Sequence, residues 1–360
     1  FQSTNYLNDV YRKGLVAEKN PIRYAAYVSF FPVILSGPIQ KSRELLPQLK
    51  EPDAFNAEYF IRSFMLFLWG FLEKVFVSGK LKVIVDTCWS NWNTHTGVYP
   101  IIAAIAFSFY IYCDFSAYSD MACGISRMLG FRVRNNFCNP YMATSLTEFW
   151  NRWHMSLNDW FVENVYIPLG GNRKGKLRKY INVMLVFLFS GAWHGASMHF
   201  VICGLANGLL QIAGQILAPF KKRVYSLIGV DDRCFSIRML KRAGVFFFIT
   251  LTWLFFRAPG TSAALSVIRS IFMTRPVDFF NPDLFMICGS VTKTFLCIVA
   301  LTIFITVQIH RKDTSKYYSS FRAQPILFQT LFAGFMILVI VMASVAGRAE
   351  INTQFIYFQF

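Results

Sequence analysis

Two histidines in this chain stand where a proton could be moved out of reach of bulk water. The run Ile181 to Phe200, INVMLVFLFSGAWHGASMHF, contains no Asp, Glu, Lys or Arg, and His194 lies in its second half. About twenty such residues suffice to cross the hydrocarbon core of a bilayer as a helix. An ionisable side chain there is costly, so it marks a functional site or pairs with other protein groups. Gly191, Ala192, Gly195, Ala196 and Ser197 surround it and let a backbone or a substrate come close. The second, His154, sits in TEFWNRWHMSLNDWF. There Trp150, Trp153, Leu157, Trp160 and Phe161 recur at helical spacing, and Arg152, Asn158 and Asp159 take other faces. That pattern predicts one amphipathic helix near the membrane surface, where tryptophan concentrates.

Such a pair suits acyl transfer to a hydroxyl. A neutral imidazole, with an ordinary pKa of ~6.5, is a natural general base near neutral pH. Desolvation favours the neutral form. A low-dielectric site also strengthens hydrogen bonds to the oxyanion of an acyl-transfer intermediate. Asn151, Asn158 and backbone N–H groups at a broken helix end are the candidate donors, and Trp193 and Ser197 flank His194. The remaining carboxylates are Asp114, Asp120, Glu148 and Asp159. Asp114 and Asp120 have two readings: they line a polar funnel and bind the acceptor, or they satisfy Arg127, Arg132 or backbone groups as structural partners. His194 likewise has two, a general base or a histidine hydrogen-bonded between packed helices.

Several familiar motifs fail. Gly170 to Leu177, GGNRKGKL, has the spacing of a phosphate-binding loop, but Leu177 stands where Ser or Thr should follow Lys176, and no strand is predicted before it. His154 and Asp159 have the H-x4-D spacing of glycerolipid acyltransferases, a spacing common by chance. No G-x-S-x-G nucleophile elbow is present.

The composition sets the class. The chain is 55% hydrophobic and 15% charged, with mean hydropathy +0.41, against about 25% charge in a soluble domain. This is the signature of an all-α polytopic membrane protein. A net charge of +17 raises the question of nucleic acid, but the basic residues cluster in short loops between apolar runs, as cytoplasmic membrane loops do, and no nucleic-acid partner is expected. Eight cysteines carry no CxxC pair or zinc spacing. Cys203, Cys288 and Cys297 lie in apolar runs, so they read as small hydrophobes and no metal site is expected. Residues 1–24 are polar and mildly basic and carry no signal peptide, and the start at Phe1 points to a piece of a longer protein.

Along the chain, 24–37 is too short to span and reads as re-entrant or interfacial. Residues 58–78 form a candidate span with Glu73 and Lys74 at an interface or in a polar cavity, and 81–92 an interfacial helix. The run from Tyr99 to Cys113 continues into a segment carrying Asp114 and Asp120. Further spans are predicted over 181–198, 199–218, 243–257, 284–309 and 325–346, with 181–218 equally able to form a broken or re-entrant helix pair. The basic clusters at 173–179, at 221–223 with 241–242, and at 311–322 then fall on the cytoplasmic side. The connections at 258–283 and after 346 fall outside.

FWNRWHMSLNDWFVENVYIPLGGNRKG, from Phe149 to Gly175, followed by SGAWHGAS at 190–197, resembles the membrane-bound O-acyltransferase family, and within it the bacterial branch that acetylates alginate and other exopolysaccharides. Supporting blocks are SFFPVILSGPIQK at 29–41, YCDFSAYSDMACGISRMLGF at 112–131, LTWLFFRA at 251–258 and QFIYFQF at the end. The resemblance implies a single membrane-embedded acyltransferase domain over 1–360, with helices ringed around a funnel or tunnel. It implies that His194 is the catalytic histidine and His154 the second active-site histidine. Asp114, Asp120, Trp193, Asn151 and Ser197 are the candidate substrate contacts. It further implies no bound cofactor, with acyl-CoA (acetyl-CoA) or an acyl-carrier thioester as co-substrate. The acyl group would move from the cytoplasm across the bacterial inner membrane toward a polysaccharide hydroxyl. A periplasmic or extracellular acetyltransferase and the polysaccharide synthesis machinery would be its partners. A sister branch transfers D-alanine to teichoic acid from a carrier protein, and a proton-coupled transporter or flippase is the non-enzymatic alternative. Two departures stand out: relatives carry further membrane helices before QSTNYLNDVYRKG, and Asn151 replaces a frequent basic residue.

Overall fold

A computed structural model describes residues 1–346 apart from 53, 91, 93–96, 283, 285, 286 and 311–318. Arg311, Lys312 and Lys316 of the third basic cluster, the segment after 346 and the aromatic end lie outside the described residues. Those described form helices and turns, with no strand. In order they are α1 (Gln2–Lys13), α2 (Pro21–Val28), α3 (Ser42–Lys50), α4 (Ala57–Leu72), α5 (Gly79–Ser90), α6 (Tyr99–Met128), α7 (Leu146–Trp150), α8 (Met155–Phe161), α9 (Gly175–His194), α10 (Met198–Leu227), α11 (Phe235–Arg257), α12 (Thr261–Phe272), α13 (Val291–His310) and α14 (Ile326–Ala346). α6, α10, α11 and α13 are each long and apolar enough to cross a membrane, as a multi-pass membrane protein requires.

The centre is α6, whose apolar window is 72% buried. Lipid tails are as apolar as leucine, so helices in a bilayer associate through close packing and polar contacts rather than hydrophobic burial. Both are present. Gly70 on α4 and Gly124 on α6 bring the backbones together: a Cβ on Gly70 would lie 2.7 Å from the Ala117 carbonyl oxygen, and one on Gly124 would lie 2.9 Å from that of Ser63. Ser108 and Thr250 share a hydrogen bond of 2.9 Å between α6 and α11, and the Tyr112 hydroxyl donates to Gln308 of α13 at 3.0 Å.

The span expected over 58–78 runs on as one helical stretch to Ser90, because α4 passes through a π-helical turn, Glu73–Ser78, into α5. That turn faces α6, where Lys74 pairs with Asp114 and Ser116 donates to Glu73. Residues 24–37 do not span: α2 ends at Val28 and turns follow. Residues 181–218 form the antiparallel hairpin of α9 and α10, joined by Gly195–Ser197. The connection at 258–283 contains a short helix, α12, whose Ala263, Ala264 and Val267 are buried.

The amphipathic helix expected over 147–161 is not one helix. The chain breaks at Asn151–His154, between α7 and α8. Sequence periodicity ran through the break because Trp150, Trp153 and Leu157 are indeed interior residues. Phe149 stacks on Trp153 at 5.6 Å, and Trp153 meets Trp253 of α11 at 5.1 Å. What divides the helix is a clamp from elsewhere in the chain.

Candidate active site

The clamp is the segment 136–138. Cys138 N–H donates to the Arg152 carbonyl at 3.0 Å, and Met155 N–H donates to that of Asn136 at 2.9 Å. The Ser156 hydroxyl donates to Asn136 Oδ1 at 2.6 Å, while Asn136 Nδ2 reaches Ser119 on α6 at 3.2 Å. Between these bonds His154 is held at φ 44°, ψ 53°, a left-handed conformation that costs a residue with a Cβ about 1–2 kcal/mol. Strain of this kind persists only where the surroundings over-determine it, and it clusters at functional sites.

The result is a buried imidazole, edge-on to Phe115 at 4.7 Å, whose Nδ1 has no hydrogen-bond partner among the described residues. Burial first, and the nearby His194 second, push its pKa down to about 3, so the ring is neutral at physiological pH.

His194 closes α9. Its ring lies beside Trp193 at 4.7 Å and edge-on to Phe256 of α11 at 5.0 Å. Gly195 is required next to it, because a Cβ there would sit 2.6 Å from the Phe200 ring. Gly191 and Gly204 then let α9 and α10 touch, with 3.1 Å from a Cβ built on Gly204 to the Gly191 Cα. Gly191 and Gly195 therefore serve the close packing of α9 on α10.

Two cavities meet at this histidine pair. The first, of about 630 Å³, lies among α8, α9, α10 and α11, and extends from His154, His194 and Trp253 to Lys179 and Ala218. The second, of about 510 Å³, is bounded by the start of α1, residues 33–39 and Phe115, together with Trp193 and the same His154 and His194. From Lys179 to His194 α9 rises about 22 Å. The first cavity thus follows the α9–α10 hairpin from its basic end to the imidazoles.

The other candidate residues separate. Asn151 and Asn158 line the first cavity, and the half-exposed Trp193 lines the second. Asp114, Asp120 and Ser197 line neither. Asp114 is fully buried, paired with Lys74 and accepting from Ser78 at 2.6 Å. Asp120 is buried on α6, and Ser197 is exposed at the start of α10. Arg127 binds Asn135 at 3.0 Å. Asp159 is bound by Arg134 at 2.6 Å, and the same guanidinium binds Glu44, so the H-x4-D spacing builds no dyad with His154. Glu148 is engaged by Thr144 and Arg152. Burial alone would raise its pKa, but the Thr144 N–H and hydroxyl and the Arg152 charge outweigh it and hold the carboxyl below its ordinary value. His199, the other histidine of the apolar run, is buried against the Phe255 carbonyl at 2.9 Å and lines neither cavity.

Sequence reasoning missed a polar wall on α10. Asn207, Gln211 and Gln215 all line the first cavity, and their spacing of four residues, which keeps side chains on one helix face, was the available signal.

Residues 12–258 match the membrane-bound O-acyltransferase family profile. The chain is 35% identical to the probable alginate O-acetylase AlgI of Pseudomonas syringae pv. tomato over 264 residues, 73% of this chain and 48% of that protein. It is 35% identical to the peptidoglycan O-acetyltransferase of Helicobacter pylori over 250 residues, 69% of this chain and 46% of the relative. Identity to the teichoic acid D-alanyltransferase of Bacillus subtilis is 27%, over 59% of this chain and 56% of the relative. The chain thus spans about half the length of the curated relatives it matches. With its paired histidines set between two cavities in a multi-pass helical fold, it belongs to the membrane-bound O-acyltransferase family.

Proposed function

We propose that this chain carries the reaction centre of a bacterial inner-membrane O-acetyltransferase. Its donor is a cytoplasmic acetyl thioester and its acceptor a hydroxyl on an extracytoplasmic polysaccharide, reached directly or through a periplasmic or extracellular acetyltransferase partner. The observation that carries this reading is that one histidine pair lines both cavities, so a donor filling one and an acceptor filling the other would meet at the imidazoles. His194 takes the proton of the acceptor hydroxyl as its oxygen attacks the thioester carbonyl. The tetrahedral oxyanion collapses, the C–S bond breaks, and the departing thiolate recovers the proton. His154 is the neutral partner that positions the reacting groups. The two resemblances to O-acetyltransferases at 35% identity, against 27% for the D-alanyltransferase, favour acetyl over D-alanyl.

The test is transfer of labelled acetate into polymer by membranes containing the protein. His194→Ala should reduce the rate on the order of 10²–10⁴-fold at normal expression, and an unchanged rate would remove the general base. Transport of a chemically unaltered cargo with no labelled polymer would replace the transferase with a transporter.

A further inference from the structure

His199 is buried and lines neither cavity, so the chemistry at the histidine pair leaves it unused. Its Nδ1 lies 2.9 Å from the carbonyl oxygen of Phe255 on α11. A carbonyl oxygen only accepts, so Nδ1 carries the hydrogen and donates it. The bond thereby sets which nitrogen of the ring is protonated.

The acceptor has a reason to need this donor. The last four carbonyls of an α-helix find no partner within the helix, and α11 ends at Arg257. Ala258 N–H still closes back onto the Leu254 carbonyl. The next carbonyl, that of Phe255, would take its bond from position 259, which is Pro259 and has no N–H to give. A bare carbonyl is costly away from water, and the His199 imidazole supplies the hydrogen that the proline cannot.

The same face of α10 makes two more such contacts. The Cys203 thiol donates to the Thr252 carbonyl at 3.3 Å, and the Thr252 hydroxyl donates to Asn207 at 3.2 Å. Positions 199, 203 and 207 share one side of the helix, so successive turns of α10 are tied to α11. Polar contacts of this kind hold bilayer helices together. His199 makes the one nearest the joint at Gly195–Ser197 that follows His194.

That contact bears on a ring of the candidate active site. Phe256, the residue after Phe255, is buried and stands edge-on to His194 at 5.0 Å, with Phe200 at 5.2 Å and Trp253 at 5.6 Å. Phe200 is the residue after His199, whose own ring lies against it at 4.1 Å. Two neighbours on α10 thus meet two neighbours on α11, one pair through a hydrogen bond and the other through their rings. A slip of α11 along α10 would break the bond and move Phe256 across His194 together.

Resting on the transferase reading above, we infer that His199 is a positioning residue for His194: by anchoring the Phe255 carbonyl it sets the Phe256 ring against which the His194 imidazole is held. It acts through Phe256 and lines neither cavity itself.

His199→Leu keeps the bulk and removes the donor, whereas His199→Asn returns an N–H near the place of Nδ1. Labelled acetate transfer from acetyl-CoA is measured at a temperature where every variant is folded. His199→Leu should lower kcat about 10–100-fold and leave KM for acetyl-CoA unchanged, and His199→Asn should recover most of the loss. Phe256→Leu should lower kcat by itself, and adding His199→Leu to it should cost little more, because both act through one contact. A residue that merely caps α11 would lower the melting temperature and leave kcat of the folded protein untouched. That result overturns the proposal, and so does a double variant whose losses multiply; beside either, a dead His194→Ala leaves the transferase standing. The Cε1–H NMR resonance of His194 gives a readout free of catalysis, in protein carrying isotope-labelled histidine and assigned by its loss in His194→Ala. It should shift in His199→Leu, as the ring current of Phe256 moves, and return in His199→Asn. That shift in a protein that transfers no acetate keeps the positioning and removes the transferase, and an unmoved resonance overturns the positioning.

Discussion

Gly204→Ala and Gly214→Ala add the same methyl group to the same helix and should have opposite effects. A Cβ at Gly204 would lie 2.3 Å from the Phe187 carbonyl oxygen and 3.1 Å from the Gly191 Cα. The first atom is backbone and cannot swing away, so α9 and α10 must part by about 1 Å to restore ordinary contact, at an expected cost of about 1–3 kcal/mol. Bilayer helices depend on such close approach for their association, and nothing offsets the loss. A Cβ at Gly214 meets nothing within 4 Å, and alanine there should stabilise by about 0.5–1 kcal/mol through lower unfolded-state entropy. Thermal melting of the purified protein in detergent should therefore move down by several degrees for Gly204→Ala and up slightly for Gly214→Ala. His194 rides on α9, and misplacement of a reacting group by about 1 Å can cost on the order of 10²-fold in rate. Acetyl transfer at a temperature where both variants are folded should fall accordingly in Gly204→Ala alone. Shifts of the same sign, or a Gly204→Ala protein as stable and active as wild type, would refute the claim that this contact sets the position of His194.

At position 154, asparagine tolerates the left-handed backbone better than alanine does. His154→Asn should thus melt higher than His154→Ala, while both lose transfer; equal melting would show that φ 44° is not strained. Lys74→Met leaves the buried carboxylate of Asp114 without its cation and should destabilise by about 3–5 kcal/mol, with Lys74→Met/Asp114→Asn recovering much of the loss. A single variant with wild-type melting would mean that the pair contributes nothing. Glu148 has a folded-state pKa below its unfolded value, so its contribution is present above the unfolded pKa and is lost as pH falls through the folded one. Melting followed from neutral pH downward should decline less steeply below about pH 4.5 in Glu148→Gln than in wild type, and parallel curves would exclude the linkage.

What the linear chain determined were the features that local composition alone controls. Long apolar runs define α10, α11, α13 and the first half of α6, since each must satisfy its own backbone in lipid. The glycines and small residues after Phe189 define the α9–α10 hairpin, and an uncharged run with a histidine among small residues singled out His194. Tertiary structure decided everything that needed a distant partner. No proline or glycine interrupts 147–161, so the break that strains His154 comes from Asn136 and Cys138, in a segment that local periodicity cannot see. Asp114 finds Lys74 forty positions away because the π turn that carries Lys74 packs on α6. The short α12 escaped notice because its buried face needs α6 and α11 beside it. Which glutamines face a cavity, and that two cavities share one pair of imidazoles, depend on how whole helices are rotated against one another, and no local run of residues encodes that rotation.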